Sequence, residues 1–218
     1  NDNVYMKTVK GPLKVDCIYR RLDDNFLDPK AFNKDSVIGV PGLFKCWLKK
    51  NVGIINAVGT GVADDKVVYS YVNRMIVYYL GEQPILNQVE TYLCHDESQK
   101  KYVLENLSKL VVKPANASGG YGIMIGPKAS SKEREEVAEK IKKNPREYIA
   151  QPLETLSTAP TITEKNIEPR HLDLRPFVLS GKTNYVTTGG LTRVALRKGS
   201  TIVNSSQGGG SKDTLIVD

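Results

Sequence analysis

The sequence VVKPANASGGYG, residues 111–122, places Lys113 on a predicted strand directly before a glycine-rich loop. Because glycine has no Cβ, such a loop can lay its backbone N–H groups against phosphate oxygens, while a neighbouring ammonium offsets part of their negative charge. The pattern therefore indicates a site for a nucleoside triphosphate. A lysine followed by a glycine turn is also an ordinary hairpin connection, and these residues alone leave both interpretations open.

The elements that follow the loop extend the pattern. Residues 123–126 form a short apolar run that is typical of a returning strand. Ser130 and Glu133 form a capping box that opens a helix ending near Lys143, and residues 148–151 form another apolar strand. The chain contains neither G-x-x-x-x-G-K-[ST] nor G-x-G-x-x-G between a strand and a helix. We therefore expect a nucleotide-binding arrangement other than the P-loop or the dinucleotide fold.

Composition limits the class of protein. The 218 residues are 40% hydrophobic and 25% charged, enough for one large or two small cores. No long apolar run is present, so we expect no membrane partner. The formal charge of +7 fits an anionic substrate or a basic surface better than nucleic acid, since no lysine cluster alternates with stacking aromatics. Three scattered cysteines favour a reducing cytoplasm over a disulfide or zinc framework.

The first part of the chain has the pattern of an α/β layer. Apolar strands are predicted at residues 15–19 and 52–56, and a helix is predicted from Asp64 to Leu80, ended by Gly81. Apolar residues of that helix recur at three- and four-residue steps, which predicts one face packed on a sheet. They are Val67, Val68, Tyr71, Met75, Tyr78 and Tyr79. A second helix is predicted near residues 99–107, and we place a domain boundary between residues 95 and 96.

Several motifs in a fixed order resemble those of the ATP-grasp enzymes: VVKP, SGGYG, the capped helix, YIAQP, HLDLRPFVL and GGLTRVAL. Residues 56–66 and 203–214 resemble more narrowly the circularly permuted ATP-grasp proteins of bacteria, uncharacterised relatives of glutathione and glutathionylspermidine synthetases. The resemblance covers nearly the whole chain from Leu13. It implies an α/β (α+β) ATP-grasp fold. Residues 1–95 would form a Rossmann-like pre-ATP-grasp segment, and residues 96–218 the ATP-grasp region, with a small lobe at about 110–151 and a core lobe at about 152–218.

The resemblance also implies roles in binding ATP. Lys113 would contact the α- and β-phosphates, and Gln151 would lie at the adenine edge. Lys66 would enter the same pocket from the preceding domain, although a solvated helix lysine is an equal alternative. The remaining residues would form a lid over the phosphates: Ser118, Gly119, Gly120 and Gly122.

Strand alternation places Asp173 and Arg175 on one side of the predicted strand HLDLRPFV. A carboxylate ligand for Mg²⁺ beside a guanidinium for phosphate suits phosphoryl transfer, while a structural salt bridge between the two is the rival interpretation. By resemblance, Arg193 approaches the γ-phosphate or an acyl phosphate. We therefore predict Asp173 as the metal ligand and Arg175 and Arg193 as catalytic residues.

One departure from the ATP-grasp pattern concerns the second magnesium ligand, normally the acid of an E-x-N motif on a later core strand. Glu164-Lys165-Asn166 precedes Asp173 and lies in a predicted loop, and the expected place holds Ile202-Val203-Asn204. The chain also starts without methionine or a cleavable signal. We expect a C-terminal portion of a longer enzyme, with part of the metal site supplied by the missing N-terminal part or lost.

Two further segments are candidates for contact with the substrates. Tyr19, Arg20 and Arg21 lie at a predicted strand end beside two aspartates, where they could bind a zwitterionic amino acid or form a solvated charged turn. Asn204, Gly208 and Gly209 belong to a glycine-rich loop that could close over the acceptor and exclude water, or be an ordinary mobile turn.

The activity that the resemblance implies is ATP-dependent ligation of a carboxylate to an amine, through an acyl phosphate and with Mg²⁺. The expected partners are therefore ATP, a carboxylate and an amine, such as an amino acid or a peptide. Two alternatives remain open at this stage: a nucleotide-binding module that has lost catalysis, and a phosphotransferase built on the same fold.

Overall fold

A computed structural model describes residues 2–117, 121–163, 166–204 and 208–216. The chain divides into two compact units, Asn1–Gln88 and Val89–Asp218. The division falls seven residues before the predicted boundary, because Tyr92 and Leu93 pair with Ala150 and Ile149 of the second unit. In the described part of the chain, no helix is long and apolar enough to cross a membrane.

The first unit contains short strands and short helices. Strands β1 and β2 form an antiparallel hairpin, and β3 and β4 form a parallel pair. The strands are β1 (Tyr5–Thr8), β2 (Gly11–Lys14), β3 (Cys17–Tyr19) and β4 (Gly53–Ile55). The helices are α1 (Asp24–Leu27), α2 (Leu43–Leu48), α3 (Lys66–Tyr69) and α4 (Val72–Leu80). Its core is the cluster Leu27, Leu43, Cys46, Val52 and Ile54.

The Rossmann-like segment predicted for this region is not confirmed. Residues 2–88 form two sheets of two strands each, and a doubly wound fold needs a larger parallel sheet. The single helix predicted over residues 64–80 is broken at Ser70 and Tyr71 into α3 and α4, although Gly81 ends α4 in the left-handed conformation as expected.

The buried face predicted for this helix is wrong. Val67 is buried, but α4 has no buried residue, and Tyr78 and Tyr79 are among its most exposed side chains. The helical period correctly identifies one apolar side of α4. Periodicity carries no information on which element covers that side.

The second unit begins with a four-stranded antiparallel sheet in the order β5-β8-β6-β7. Its strands are β5 (Tyr92–Leu93), β6 (Leu110–Pro114), β7 (Met124–Ile125) and β8 (Tyr148–Pro152), and its helices are α5 (Glu97–Glu105) and α6 (Ser131–Lys143). Residues of both helices and of the sheet share one core, which includes Val103, Val112, Ile141 and Ala150. The capping box of α6 is confirmed, since the side chain of Ser130 accepts from the Glu133 N–H and the Glu133 carboxylate accepts from the Ser130 N–H.

A second antiparallel sheet follows in the order β12-β11-β10-β9. Its strands are β9 (Thr158–Ile162), β10 (Ile167–Leu179), β11 (Tyr185–Ala195) and β12 (Gly209–Lys212). The border between the two sheets lies between Pro152 and Thr158. The long β10–β11 pair brings together residues that are about twenty positions apart in the sequence, and this register builds the main polar cluster of the unit.

Candidate functional site

Lys113 lies near the end of β6, directly before the glycine loop, and is held by β8. Its Nζ donates to Oε1 of Gln151 at 2.6 Å. The Gln151 side chain is buried, and its Nε2 donates to Oγ1 of Thr91 at 2.8 Å. The adenine contact of Gln151 stays a prediction, because in this structure its side chain is the fixed partner of Lys113. Sequence reasoning missed Thr91, which carries no motif.

The glycine loop lies only partly within the described residues. Ser118, Gly119 and Gly120 are outside them. Gly122 has φ +72°, and a Cβ there would lie 2.9 Å from Cγ of Pro114. Glycine is therefore required at this position by the turn itself, which returns the chain to the end of β6. The predicted lid role of these four residues stays a prediction.

Asp173 and Arg193 form the main polar cluster of the second sheet. They are direct cross-strand neighbours on β10 and β11. Nε of Arg193 donates to Oδ1 of Asp173 at 2.8 Å, Nη2 donates to Oδ2, and Nη1 donates to Oδ1 of Asn204. The two parallel bonds to one carboxylate make a bidentate ion pair, the strongest common form of charge-assisted hydrogen bonding.

Arg175 contributes only a loose contact to this cluster. Its Nε lies 3.7 Å from Oδ2 of Asp173, and 53% of its side chain is exposed. Asp173 and Arg175 do lie on one side of β10, as alternation requires. The salt bridge between Asp173 and Arg175 that the rival interpretation predicts is present at 3.7 Å. Asp173 also has a closer salt bridge, with Arg193, which the sequence did not indicate.

The electrostatics of the cluster follow from the ion pair. Hydrogen bonding from Arg193 lowers the pKa of Asp173, against an opposing effect of burial, and Arg175 adds a further lowering. Hydrogen bonding to Asp173 raises the pKa of Arg193, while burial acts in the opposite direction. Both groups are therefore charged at neutral pH, and the exposed Arg175 leaves the cluster with an excess positive charge that suits an anionic ligand.

The described residues do not fit a magnesium site. Both oxygens of Asp173 already accept hydrogen bonds from Arg193. Among the residues that the structure describes, no three histidine, cysteine or acidic side chains are grouped so that they could hold a metal ion. Glu164 and Lys165 are outside this set, and Asn166 closes the β9–β10 turn by accepting from the Thr163 N–H. The assignment of Asp173 as a metal ligand stays a prediction.

The glycines predicted to close over the acceptor belong to a turn and a strand. The Gly209 N–H donates to the carbonyl of Asn204 at 2.9 Å, and Gly208 has φ +83°. A Cβ on Gly209 would lie 2.2 Å from the carbonyl oxygen of Val203. Residues 209–212 form β12 instead of a loop, so Gly209 is needed for close backbone packing. Residues 205–207 lie outside the described chain.

Arg20 is held within the fold by its own hydrogen bonds, and its predicted contact with substrate stays a prediction. It is 7% exposed, and all five of its guanidinium N–H groups have partners. These partners are the carbonyls of Leu22, Asn56 and Ala57, the carboxylate of Asp24 and the hydroxyl of Thr60. The network fixes the turn that follows β4. Every donor of this guanidinium is engaged, so a substrate would have to displace one of these partners to reach it.

The other predicted residues of the first unit are placed apart from this network. Tyr19 and Arg21 are exposed at the end of β3, and their contact with substrate stays a prediction. Lys66 is the first residue of α3. It belongs to the first unit and Lys113 to the second, so its entry into the nucleotide site also stays a prediction.

Lys113 and Asp173 lie on different sheets of the second unit, each with its own partners. The single cleft expected for them stays a prediction. A hollow of 380 Å³ does lie between α5 and α6, lined by residues such as Leu104, Glu105, Ser131 and Arg134. It contains none of the predicted ATP-site residues.

Comparison with known proteins supplies the family. A family model described as circularly permuted ATP-grasp type 2 matches residues 1–195. An uncharacterised protein of Synechocystis sp. is 57% identical over 213 residues, which is 97% of this chain and 44% of that protein. An uncharacterised protein of Mycobacterium tuberculosis is 52% identical over 218 residues, which is 100% of this chain and 40% of that protein.

A third relative carries a name that states an activity. A protein of Frankia casuarinae named "Putative glutamate--cysteine ligase 2-2" is 49% identical over 216 residues, which is 99% of this chain and 25% of that protein. The chain thus spans less than half the length of these curated relatives. The activity in the Frankia name is said of a protein about four times as long as the match.

Proposed function

The chain belongs to the circularly permuted ATP-grasp family of type 2, and from this membership we propose that it forms part of an ATP-dependent ligase that joins a carboxylate to an amine. The observation that carries the proposal is the placement of Lys113, a strand lysine fixed by a buried glutamine directly before the glycine loop. A positioned ammonium at that point is what a bound triphosphate requires.

Lys113 would bind the α- and β-phosphates. Its hydrogen bond to Gln151, which is itself bonded to Thr91, restricts the side chain before the nucleotide arrives. A cation that is already positioned costs less ordering on binding than a free surface lysine does. The side chain would exchange or share its Gln151 contact with a phosphate oxygen.

The chemistry of the proposed reaction has two steps. A carboxylate oxygen attacks the γ-phosphorus of ATP, and the bond between that phosphorus and the oxygen bridging to the β-phosphate breaks. ADP departs with the bonding pair, and the carboxylate has become an acyl phosphate. The amine then attacks the acyl carbon, phosphate leaves with its bonding pair, and the nitrogen loses a proton to give the amide. Arg193 and Arg175 would offset the charge on the transferring phosphoryl group and on the departing phosphate.

The name of the Frankia relative is compatible with this class, since glutamate and cysteine are joined through a carboxylate and an amine. The match covers 25% of that protein, so we propose the reaction class for this chain and not those two substrates.

A non-catalytic nucleotide-binding module is the second candidate. It is favoured by one observation: the described residues do not assemble a metal-ligand cluster. Such a module would bind ATP through the Lys113 region and release no ADP.

Nucleotide binding by the full-length protein that contains this chain tests the proposal. We expect Lys113→Ala to abolish ATP binding measured by isothermal titration calorimetry, because the fixed ammonium is lost. The matched control is Lys109→Ala, which removes an exposed lysine just before the same strand and should leave the affinity unchanged. Equal affinities of the two variants would contradict the role of Lys113.

Turnover separates the candidates. ADP release that requires both a carboxylate and an amine supports the ligase, whereas ATP binding without turnover in the full-length protein supports the module. ADP release that needs only one phosphate acceptor would point to a phosphotransferase.

A further inference from the structure

The Asp173–Arg193–Asn204 cluster carries an inference about how the phosphate arginine is positioned. We propose that Asp173 and Asn204 hold the guanidinium of Arg193 in the orientation in which it meets the phosphate, and that Asp173 is not a magnesium ligand. The inference rests on the proposed function, because it takes Arg193 as a phosphate contact. Asp173 and Asn204 are then positioning residues.

The geometry of the ion pair fixes the plane of the guanidinium. Asp173 and Arg193 are directly opposite on neighbouring strands, so the backbone of the sheet sets their separation. Two parallel bonds, from Nε and Nη2 to the two carboxylate oxygens, remove rotation about the end of the arginine side chain. The third bond, from Nη1 to Asn204, comes from the segment just before β12 and closes the other side.

Donor counting shows what this arrangement leaves for a ligand. A guanidinium has five N–H groups. Among the described residues, Asp173 accepts two and Asn204 accepts one. One N–H on each Nη remains, and a phosphate group has several oxygens able to accept both.

Arg20 provides the contrast within the same chain. Its five N–H groups are all engaged, so it is built to hold a turn. Arg193 is equally restrained, yet its donor set is incomplete. Arg193 is partly buried, and among the described residues two of its N–H groups have no partner, so they are placed to meet a ligand.

Burial and charge explain why Asp173 is needed for this role. The side chain of Arg193 is 14% exposed and that of Asp173 is 26% exposed, so the pair is largely shielded from water. Arg193 without Asp173 would be a poorly solvated cation free to turn toward other acceptors. Arg175 does not substitute for Arg193, since its side chain is half exposed and its contact with Asp173 is 3.7 Å long.

A double-mutant cycle on ATP affinity tests the proposal in the full-length protein. Asp173→Asn keeps the shape of the side chain but loses the charge and one acceptor for the arginine. We expect it to weaken ATP binding about fivefold in the wild-type background and less than about twofold in the Arg193→Ala background, because its effect passes through Arg193. An equal loss in both backgrounds would overturn the proposal.

The dependence of ATP binding on Mg²⁺ concentration is a second measurement, and Asp173→Asn would change it if Asp173 were a metal ligand. ATP binding is measured by calorimetry over a series of Mg²⁺ concentrations. We expect Asp173→Asn to leave the Mg²⁺ concentration for half-maximal ATP binding unchanged. A rise of about tenfold or more in that concentration, at least the size typical of losing a group that supports a metal site, would show that Asp173 binds the metal and overturn the proposal.

A matched pair on the same strand supplies the control. Glu168 and Arg170 of β10 also form an ion pair, with side chains 29% and 7% exposed. Glu168→Gln makes the same chemical change as Asp173→Asn at similar burial, and should leave ATP affinity unchanged. If both variants weaken ATP binding equally, the effect is a general loss of sheet stability and the proposal fails.

If circular dichroism shows that Asp173→Asn does not fold, Asn204→Ala takes its place in the cycle. It removes only the third bond, and its loss of ATP affinity should likewise disappear in the Arg193→Ala background. If the wild-type full-length protein does not bind ATP, the proposed function fails and this inference fails with it. If the wild-type protein binds ATP but each substitution lowers the affinity equally with and without Arg193→Ala, the positioning role is overturned and the proposed function is not.

Discussion

Replacement of Arg20 by alanine should destabilise the first unit strongly, because this side chain is built into the fold. Arg20 is 7% exposed, and its guanidinium joins the carboxylate of Asp24 to three backbone carbonyls and the hydroxyl of Thr60. The same network receives two further bonds, from the Asn56 side chain to the Arg20 carbonyl and from the Gly59 N–H to Asp24.

The magnitude follows from what the truncation leaves unpaired. Removing one partner of a buried ion pair costs about 3–5 kcal/mol, much of it from the unpaired charge and the unsatisfied acceptors that remain. The side chain of Asp24 is 26% exposed, so water can reach its carboxylate in the variant. We therefore expect about 3 kcal/mol, the lower end of that range.

Urea unfolding followed by tryptophan fluorescence measures this effect in the first unit. Trp47 is the only tryptophan of the chain and packs against the core of that unit. The matched control is Arg21→Ala, the same substitution at the neighbouring exposed position, for which we expect a change within about 0.5 kcal/mol. Arg20→Lys should recover less than half of the loss, because an ammonium has three donors in place of a planar set of five.

Equal stabilities of Arg20→Ala and Arg21→Ala would refute the reasoning. The guanidinium contacts would then contribute nothing measurable, and the predicted contact of Arg20 with substrate would become the better interpretation.

Three other predictions concern stability. The carboxylate of Asp28 is buried, which raises its pKa, but bonds from the N–H groups of Gly42, Phe44 and Lys30 prevail and hold the pKa below its usual value. The ionised carboxylate therefore stabilises the folded state at neutral pH, and this stabilisation is lost as the pH falls below about 4. The difference in free energy of unfolding between wild type and Asp28→Asn should narrow from pH 7 to pH 3, and a constant difference would contradict this. Ile141→Ala should lower the free energy of unfolding by about 2–5 kcal/mol, since the side chain is fully buried in the core of the second unit. Denaturant unfolding followed by circular dichroism measures this loss. Gly209→Ala should lower the thermal midpoint, because its Cβ would lie 2.2 Å from a backbone oxygen, whereas Gly189→Ala, with open space around it, should have little effect.

Local signals in the sequence were sufficient for the order of elements from β6 to β8 in the second unit, though not for the order of the strands in the sheet. The capping box at Ser130 and Glu133 identifies the start of α6 because both hydrogen bonds form between residues three positions apart. The strand lysine and the glycine loop are adjacent in the chain, so their proximity needs no tertiary information. The order of motifs was also specific enough to identify the circularly permuted ATP-grasp family, which the family model confirms.

The errors arose where a residue's role depends on distant partners. The apolar period of residues 64–80 describes one side of a helix and not the element that covers it, and α4 has no buried residue. Arg20 and Arg21 are adjacent arginines, and the sequence alone does not distinguish their roles. Only the folded turn at residues 56–60 decides that Arg20 is enclosed while Arg21 is exposed.

The amino-acid order therefore established the family, the second unit's strand–loop–strand–helix–strand pattern and the lysine before the glycine loop, because capping, turn formation and side-chain alternation act over a few neighbouring residues. Tertiary structure alone decided the partners of the charged groups. Asp173 pairs more closely with Arg193 than with Arg175 because strand register aligns residues twenty positions apart, and which charge a carboxylate meets depends on distances that only the packed chain sets.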